Sequence, residues 1–370
     1  MKSYPKGLKY ISGRALGRLD LSFLFYNTFL PFRKYKFFSE GFGDLGKVKD
    51  LKSLLVSYAE NAGKNEADFP LCPFWKEREV SKGKNFILNK AYYVSPLSQF
   101  LPEESQIGCF QLVLPMDMSK LRGIVIHTAS TGDSTFKIRR QLLAEPLLQH
   151  GIGSLIKMIP FYGERRPQNQ KWHFSLSVSD FLVGLGVTVL EVSKLISWVR
   201  EMFPNVIVGT TGVSLGGGTS SFGAAITGGD LAMSPCLSGP SPSPLVSGAL
   251  HKQIDWSKLE LELGVKGREV KVELYKIMEK YNVRSLVSAF PAEKVGRRSL
   301  VQINARDDYV VEKKSGEKLF KELSSTCLPG NSFLKEIGGG HLSSFVASQH
   351  FFVPAIVESF NLIERGTSDC

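Results

Sequence analysis

Apolar runs of strand length alternate with segments of helix length from Leu121 onward. The longest helical segment begins at Ser179-Asp180, which we expect to cap it. This alternation is typical of βαβ units, so it predicts an α/β fold with a mostly parallel central sheet and helices on both faces. The strand candidates cover residues 123–127, 154–160, 206–209, 231–234, 300–304 and 333–337, and the helix candidates cover residues 137–149, 179–202, 215–226, 313–323 and 343–361.

Two regions depart from this alternation. Upstream, β-rich runs at residues 85–94 and 109–114 are separated by a loop with prolines, which predicts antiparallel strands ahead of the parallel sheet. Downstream, residues 236–298 begin with a cluster of Ser and Pro and then become charged and helical. We therefore divide the chain into an N-terminal basic, helical extension (1–84), a first core segment (85–235), an insertion (236–298) and a second core segment (299–370).

A serine stands where the 206–209 run passes into the next helix. Ser214 lies in Gly212-Val213-Ser214-Leu215-Gly216, with a glycine two residues away on each side. A nucleophile on a sharp strand-to-helix turn has a strained backbone, and small residues at these two positions avoid a clash. The motif favours a serine nucleophile of the α/β-hydrolase fold, although a glycine-rich turn with an idle serine has the same sequence. In this fold class an insertion after the sixth strand commonly forms a lid, and by analogy we assign residues 236–298 to a lid.

The partners of such a serine follow it in the chain order of this fold, the acid first and the histidine second. Asp307 and Asp308 follow the 300–304 strand, and His341 follows three glycines after the 333–337 strand. In this arrangement His341 would take the proton of Ser214, and the aspartate would fix the histidine tautomer. We favour Asp308 as the acid, while the residues themselves leave Asp307 open.

The segment that follows residues 123–127 is the candidate oxyanion hole. The backbone N–H of Thr128 or Ala129, together with that of Leu215, is expected to bind the oxyanion. His127 fits a structural hydrogen-bonding role better than the role of a base. Candidates to border the substrate pocket are His127, Asp133, Arg139, Arg140 and Tyr162; the alternatives for the two arginines are a pair with Asp133 or a solvated helix face.

Composition narrows the range of partners. The 46 Lys and Arg against 35 Asp and Glu give a net charge of +11, which favours anionic partners such as phospholipid surfaces, nucleic acid or acidic substrates. The sequence has no zinc-finger spacing, no basic region with heptads and no aromatic-basic RNA motif, so we expect no nucleic acid.

The five scattered cysteines predict neither a disulfide framework nor a zinc site. No P-loop, dinucleotide fingerprint or H-E-x-x-H motif is present, so we expect no cofactor and no metal.

The composition of the first thirty residues differs from that of the rest of the chain. Five basic residues precede the first acid, Asp20, and alternate with apolar and aromatic residues, a composition that resembles a mitochondrial transit segment. The apolar stretch at residues 19–30 is too short and too polar to span a bilayer. We expect a mitochondrial location, with a cytoplasmic or peripheral membrane protein as the alternative. A helix that packs on the catalytic domain is the other interpretation of this segment.

Several strings together resemble the α/β-hydrolase domain-containing protein 18 family, over roughly residues 90–365. They are residues 127–133 with Arg139-Arg140, 160–163 with 165–167, 211–217, 235–238 and 339–341. The resemblance implies a triad of Ser214, Asp308 and His341, because Arg306-Asp307-Asp308 matches the family's acid best at its second aspartate. The chain departs from the pattern at Gly218 and Gly239, where some members have larger residues.

Members of that family are linked with mitochondria and with phospholipid deacylation. The resemblance therefore implies a serine hydrolase that cleaves lipid acyl esters through an acyl-enzyme, with anionic lipids such as cardiolipin as substrates and association with a membrane surface. Two alternatives stay open, a hydrolase of small esters, thioesters or peptides and a hydrolase-fold protein that binds without catalysis. A long apolar groove beneath residues 236–298 would favour acyl chains, and a short closed pocket would favour small esters.

Overall fold

The computed structural model describes residues 35–61, 69–80, 86–242 and 244–368. The basic segment and the apolar stretch that we singled out within the first thirty residues lie outside this part of the chain.

A single nine-stranded sheet organises the described chain. Its strand order is β1-β2-β3-β5-β4-β6-β7-β8-β9. The strands β1, β2 and β3 are antiparallel to their neighbours, and β4 to β9 run parallel to one another. The bounds are β1 (Phe74–Val80), β2 (Phe86–Val94), β3 (Ile107–Pro115), β4 (Gly123–Thr128), β5 (Ile152–Lys157), β6 (Ile207–Val213), β7 (Gly229–Cys236), β8 (Val295–Ala305) and β9 (Ser332–Ile337).

Helices connect and cover these strands. They are α1 (Leu45–Glu60), α2 (Glu103–Gln106), α3 (137–150, with a π-helical stretch at Arg140–Ala144), α4 (Val178–Met202), α5 (Leu215–Ala225), α6 (Pro244–Ser247), α7 (Trp256–Leu263), α8 (Arg268–Lys280), α9 (Leu286–Ala289), α10 (Lys313–Ser324), α11 (His341–Val346) and α12 (Ser348–Ser368). Helices α6 to α9 all belong to the insertion between β7 and β8.

The predicted α/β architecture with a mostly parallel sheet is confirmed. Every predicted strand and helix has a counterpart, and the antiparallel strands ahead of the parallel sheet are present. Two details differ. The strand Phe74–Val80 had no counterpart in the predictions, and α4 is capped by Ser177, whose Oγ accepts from the Asp180 N–H at 3.0 Å, rather than by Ser179.

Helix α4 lies in the middle of the fold. It is the one helix among the described residues that is long and apolar enough to cross a membrane, yet 89% of its most apolar window is buried inside the protein. A helix that is hydrophobic on all sides is a core helix when other elements surround it. Helix α4 therefore packs against α1, α5, β4 and β6 as the central helix of one face of the sheet.

Residues 35–61 belong to the core, which corrects the domain boundary that we drew at residue 85. Phe37 and Phe38 are fully buried, and Val48, Leu51 and Leu55 of α1 are also buried. Their buried spacing of three and four residues is that of one helix face, and this face packs on α4. The many charges of this stretch hid the apolar face from a simple inspection of the sequence.

A fully buried ion cluster ties α4 to the sheet. The Glu191 carboxylate in α4 accepts from Arg165 at 2.7 and 2.9 Å, from Tyr93 Oη at 3.1 Å and from Lys157 Nζ. Burial alone would raise the pKa of Glu191, but the Arg165 and Lys157 cations lower it to about 2. Arg165 also donates to the Met158 and Ser105 carbonyls, so the cluster fixes the loop that follows β5.

The variant Glu191→Ala leaves two buried cations without their anion. We expect the free energy of unfolding to fall by about 3–5 kcal/mol, the usual effect of removing one partner of a buried pair. Denaturant titration measures it. The matched control is Glu164→Ala, which removes the 2.7 Å ion pair with Lys90 at the protein surface and is expected to lose about 1 kcal/mol or less. Equal losses in the two variants would contradict the structural role of the cluster.

Candidate active site

Ser214 occupies the turn between β6 and α5. Its backbone has φ 57° and ψ −123°, a positive-φ conformation that is uncommon outside glycine. Its N–H donates to the Cys236 carbonyl at the end of β7, which holds the turn on the sheet. The residue is half-buried, so its hydroxyl remains reachable from the cavity described below. The strained strand-to-helix turn predicted for Ser214 is confirmed.

Two glycines make this turn sterically feasible. A Cβ on Gly212 would lie 2.4 Å from the Gly216 carbonyl carbon, and a Cβ on Gly216 would lie 2.3 Å from the Thr128 oxygen. Backbone atoms cannot yield to such contacts as a flexible side chain can. The glycines two residues before and after Ser214 therefore allow α5 to begin directly against the ends of β4 and β6.

The candidate oxyanion residues come together at this contact. The carbonyl oxygens of Thr128 and Ala129 would lie 2.3 and 2.7 Å from a Cβ on Gly216, so the end of β4 touches the first turn of α5. Leu215 is the first residue of α5, and the N–H groups of a first helical turn have no partner within the helix. A partial positive charge is therefore available beside Ser214.

His341 is paired with Asp308 and not with Asp307. His341 Nδ1 lies 2.7 Å from Asp308 Oδ2. The other carboxylate oxygen, Oδ1, accepts from the Val310 and Val311 N–H groups at 2.8 and 2.9 Å, which fixes its orientation. When Nδ1 donates to the carboxylate, the neutral imidazole presents Nε2 as an acceptor. Asp307 instead uses its backbone N–H to bond the Gly339 carbonyl.

Parallel strands bring these residues to one edge of the sheet. Ser214 follows β6, Asp308 follows β8 and His341 follows β9, all at the carboxyl ends. We had placed His341 on a flexible glycine loop. It is in fact the first residue of helix α11, and Gly339, with φ 108°, makes the turn that precedes it.

An apolar cavity opens beside Ser214. Its polar lining residues are few, and most of the remainder are aromatic or aliphatic. The lining comprises Phe37, Thr131, Phe181, Leu185, Ser214, Leu215, Gly218, Thr219, Phe222, Gly239, Pro240, Ser241, Pro242, Leu245, Leu250, Asn282, Val283, Val310 and Val311. A site of this composition binds a hydrophobic group and leaves orientation to a few polar atoms.

The insertion covers one side of this cavity. Residues of its first part, between Pro240 and Leu250, and of the segment after α8, Asn282 and Val283, line the cavity together with residues of α4 and α5. The assignment of the insertion to a lid remains a prediction.

The two departures from the family pattern face each other inside the cavity. A Cβ on Gly218 would lie 2.8 Å from the Gly239 oxygen, and a Cβ on Gly239 would lie 2.2 Å from Ser315 Oγ. The absence of a side chain at Gly218 therefore lets the insertion approach α5 closely, and its absence at Gly239 leaves room for Ser315 in α10. A larger residue at Gly218 would require the insertion to move, and one at Gly239 would require Ser315 to move.

Four of the five pocket candidates lie outside the cavity, and two of them have the structural contacts that we gave as alternatives. Fully buried His127 bonds Ser154 Oγ through Nε2 at 3.0 Å, and Arg139 forms an ion pair of 2.6 Å with Asp133. Arg139 also donates to the carbonyl oxygens of His127 and Lys157, while Arg140 donates to Gln111 of β3. None of His127, Asp133, Arg139 and Arg140 is among the residues that line the cavity.

Tyr162, the fifth candidate, lies nearer to the site. It lines a smaller cavity that shares Leu215 and Thr219 with the main one. Its side chain is buried, and burial raises the pKa of the Tyr162 phenol.

Several residues that line the cavity were not predicted from the sequence. Phe37 lies in the segment that we assigned to an N-terminal extension, and Phe181 and Leu185 lie in a predicted helix to which we gave no role in the site. An apolar wall residue has no sequence signal that distinguishes it from a core residue.

Strand order, the Ser214 turn and the covered cavity together define an α/β-hydrolase. The chain matches the family model described as alpha/beta hydrolase domain containing 18 over residues 35–280. Since this match spans more than half of the chain, the protein belongs to that family. The match begins at residue 35, so it includes the segment that we had assigned to an N-terminal extension.

Solved structures with the same fold include two bacterial enzymes. Acetyl xylan esterase 1 from Thermoanaerobacterium sp. JW/SL YS485 aligns with a TM-score of 0.54 and 13% identity, covering 87% of this chain and 97% of its own. The acetyl xylan esterase from Paenibacillus sp. R4 aligns with a TM-score of 0.54 and 12% identity, covering 85% and 99%. At this identity the likeness concerns the fold.

The buried environment of His127 leads to a prediction about the protonation of its ring. Burial, together with the Arg139 cation, lowers the pKa of the His127 ring to about 3. A lowered histidine pKa means that its contribution to stability is complete above the unfolded value of about 6.5 and declines as the pH falls from there toward 3. We expect NMR to find the ring neutral from pH 8 to about 4. A ring that titrates near 6.5, assigned with His127→Gln, would contradict this placement.

Proposed function

We propose that the protein is a serine hydrolase that cleaves acyl esters of anionic lipids. The observation that carries the proposal is the position of Ser214, on a strained turn that opens into an apolar cavity, at the sheet edge that also holds the oriented Asp308–His341 pair. Serine, histidine and aspartate at the carboxyl ends of three parallel strands are the parts that nucleophilic acyl transfer requires.

In the first half of the reaction, Ser214 Oγ attacks the ester carbonyl carbon. His341 Nε2 accepts the hydroxyl proton, and Asp308 stabilises the resulting imidazolium through its bond to Nδ1. The carbonyl oxygen becomes an oxyanion that the N–H groups of Leu215 and of Thr128 or Ala129 stabilise at the start of α5. Collapse of the intermediate breaks the ester bond, and His341 returns the proton to the leaving alcohol.

In the second half, water releases the acyl group. His341 removes a proton from the water as its oxygen attacks the acyl carbon, and the same oxyanion contacts stabilise the second intermediate. Collapse frees the carboxylic acid and returns the proton to Ser214 Oγ. The cycle needs no group beyond the side chains and backbone of this chain and the water.

The cavity and the net charge favour a lipid as the acyl donor. Twelve of the nineteen lining residues are apolar Phe, Leu, Val or Pro, and this lining suits an acyl chain better than a sugar or a peptide. The net charge of +11 favours work at an anionic membrane surface. A mitochondrial membrane, with cardiolipin-type lipids as substrates, is the proposed setting.

The variant Ser214→Ala tests the nucleophile and the substrate class together. We expect purified protein to release fatty acid from vesicles that contain cardiolipin or another anionic phospholipid. The variant is expected to do so at a rate at least about 10⁴-fold lower. Short esters and thioesters are assayed in parallel. Activity on these alone would replace the lipid assignment with a hydrolase of small substrates.

A fluorophosphonate probe separates an enzyme from a binding protein. Labelling that maps to Ser214 and is lost in Ser214→Ala supports catalysis, because the probe reacts only with an activated serine. Folded protein that takes no label and hydrolyses no ester would instead be a non-catalytic member of the fold.

The adjacent aspartates provide a matched pair for the acid. Asp308→Asn is expected to lower kcat by about 10⁴-fold because the amide no longer fixes the histidine tautomer. Asp307→Asn changes the same charge one residue away and is expected to change kcat by less than about threefold, since its N–H bond to Gly339 is a backbone bond. Loss of activity in Asp307→Asn with retention in Asp308→Asn would reverse the assignment.

A further inference from the structure

A segment from the N-terminal side of the fold forms part of the cavity wall. We call residues 35–43 the strap. Phe37 of the strap lines the cavity that contains Ser214, and within the described residues it is the sole lining residue that precedes β1. Its side chain is fully buried and packs against Phe174 and Phe181 at 5.0 and 6.5 Å between ring centroids.

Backbone hydrogen bonds hold the strap to the insertion. The Phe37 N–H donates to the Gln253 carbonyl at 2.8 Å, and the Phe37 carbonyl accepts from the Asp255 N–H at 2.9 Å. Further along, the Phe42 N–H donates to Glu262 Oε2 at 2.8 Å. These bonds join the strap to the turn before α7, to Asp255 at the start of α7 and to Glu262 in its last turn.

The other side of the strap is bonded to the core. The Phe38 N–H donates to the Ser175 carbonyl, and the Glu40 N–H donates to the Leu176 carbonyl, each at 2.8 Å. In return the Gly41 carbonyl accepts from the Val178 N–H at the first turn of α4. The strap thus lies between the insertion and the helix that supplies Phe181 and Leu185 to the cavity.

This double attachment places Phe37 in a position that is fixed from two sides. A wall residue held by backbone bonds cannot withdraw without breaking the bonds of the strap to the insertion and to the start of α4. Because core packing tolerates little change of volume, a ring at this point limits the space for a bound group.

We propose that the strap is a built-in wall of the acyl pocket and that Phe37 determines the size of the acyl group that the site accepts. This inference rests on the proposed ester hydrolysis at Ser214. It assigns a specificity role to a segment far from the Ser214, Asp308 and His341 positions in sequence.

Phe37→Ala and Phe37→Trp change the wall in opposite directions. The smaller side chain is expected to move the preference toward longer acyl groups, and the larger one toward shorter groups. Each shift should alter the ratio of kcat/KM for octanoate and butyrate p-nitrophenyl esters by about tenfold, since one or a few methylenes in a pocket discriminate by this amount or more.

Phe38→Ala is the matched control. Phe38 is the same residue type, is equally buried in the same strap and also packs on Phe181 at 6.1 Å, but it does not line the cavity. We expect it to lower the melting temperature while leaving the chain-length ratio unchanged. The same ratio change in Phe38→Ala and Phe37→Ala would reduce the strap to a packing element and overturn the proposal.

A binding measurement separates failure of this inference from failure of the proposed function. In a Ser214→Ala background, the rise in melting temperature produced by free fatty acids of graded length reports the size of the pocket without turnover. A length optimum that moves in opposite directions for Phe37→Ala and Phe37→Trp supports the strap even if no ester is hydrolysed. An optimum that moves in neither variant overturns the strap and leaves ester hydrolysis at Ser214 intact.

Discussion

The close backbone contact between the start of α5 and the end of β4 is the constraint on which the site depends. Gly216 lies so near to the Thr128 and Ala129 carbonyls that no side chain fits between them. Only with this contact can α5 begin immediately after Ser214, hold Ser214 in its positive-φ conformation and direct the N–H of Leu215 toward the same space. Strand β6, which delivers Ser214, is paired on both sides, by β4 and β7, so the strained turn stands on a rigid part of the sheet.

The buried ion pairs of the protein lie apart from the cavity beside Ser214. The Glu191 cluster and the Asp133–Arg139 pair lie outside the cavity, where they fix the loops after β5 and β4. The cavity itself keeps few polar groups. Buried charges that are paired and hydrogen-bonded can hold loops without drawing water to the site, while an apolar wall strengthens the few electrostatic contacts made there.

The sequence predicted the periodic and ordered features well. The alternation of strands and helices, the Ser214 turn and the presence of an acid and a histidine after later strands all follow from local patterns, and each has its counterpart in the structure. The missed features have no local pattern. The apolar face of α1 is diluted by lysines, and Phe37 has the same hydrophobicity whether it fills a core or borders a cavity.

Arg139 and Asp308 illustrate what local chemistry leaves undecided. From the sequence, Arg139 could meet a substrate anion, Asp133 or solvent. In the structure Arg139 is buried and pairs with Asp133, because an arginine in the interior needs a nearby anion and carbonyl acceptors. Asp307 and Asp308 are chemically identical neighbours. The two N–H groups that follow Asp308 turn its carboxylate toward His341, and this orientation appears only when the chain is folded.

The sequence by itself determined the fold class and the residue types at the ends of the strands, because hydrophobic periodicity and glycine spacing act over a few residues. Tertiary structure decided which aspartate pairs with His341, what lines the cavity beside Ser214 and that the strap reaches this cavity. The position of the strap depends on contacts between segments more than a hundred residues apart, such as Phe37 with Gln253 and Asp44 with Ser179. No local pattern encodes a distance across the fold.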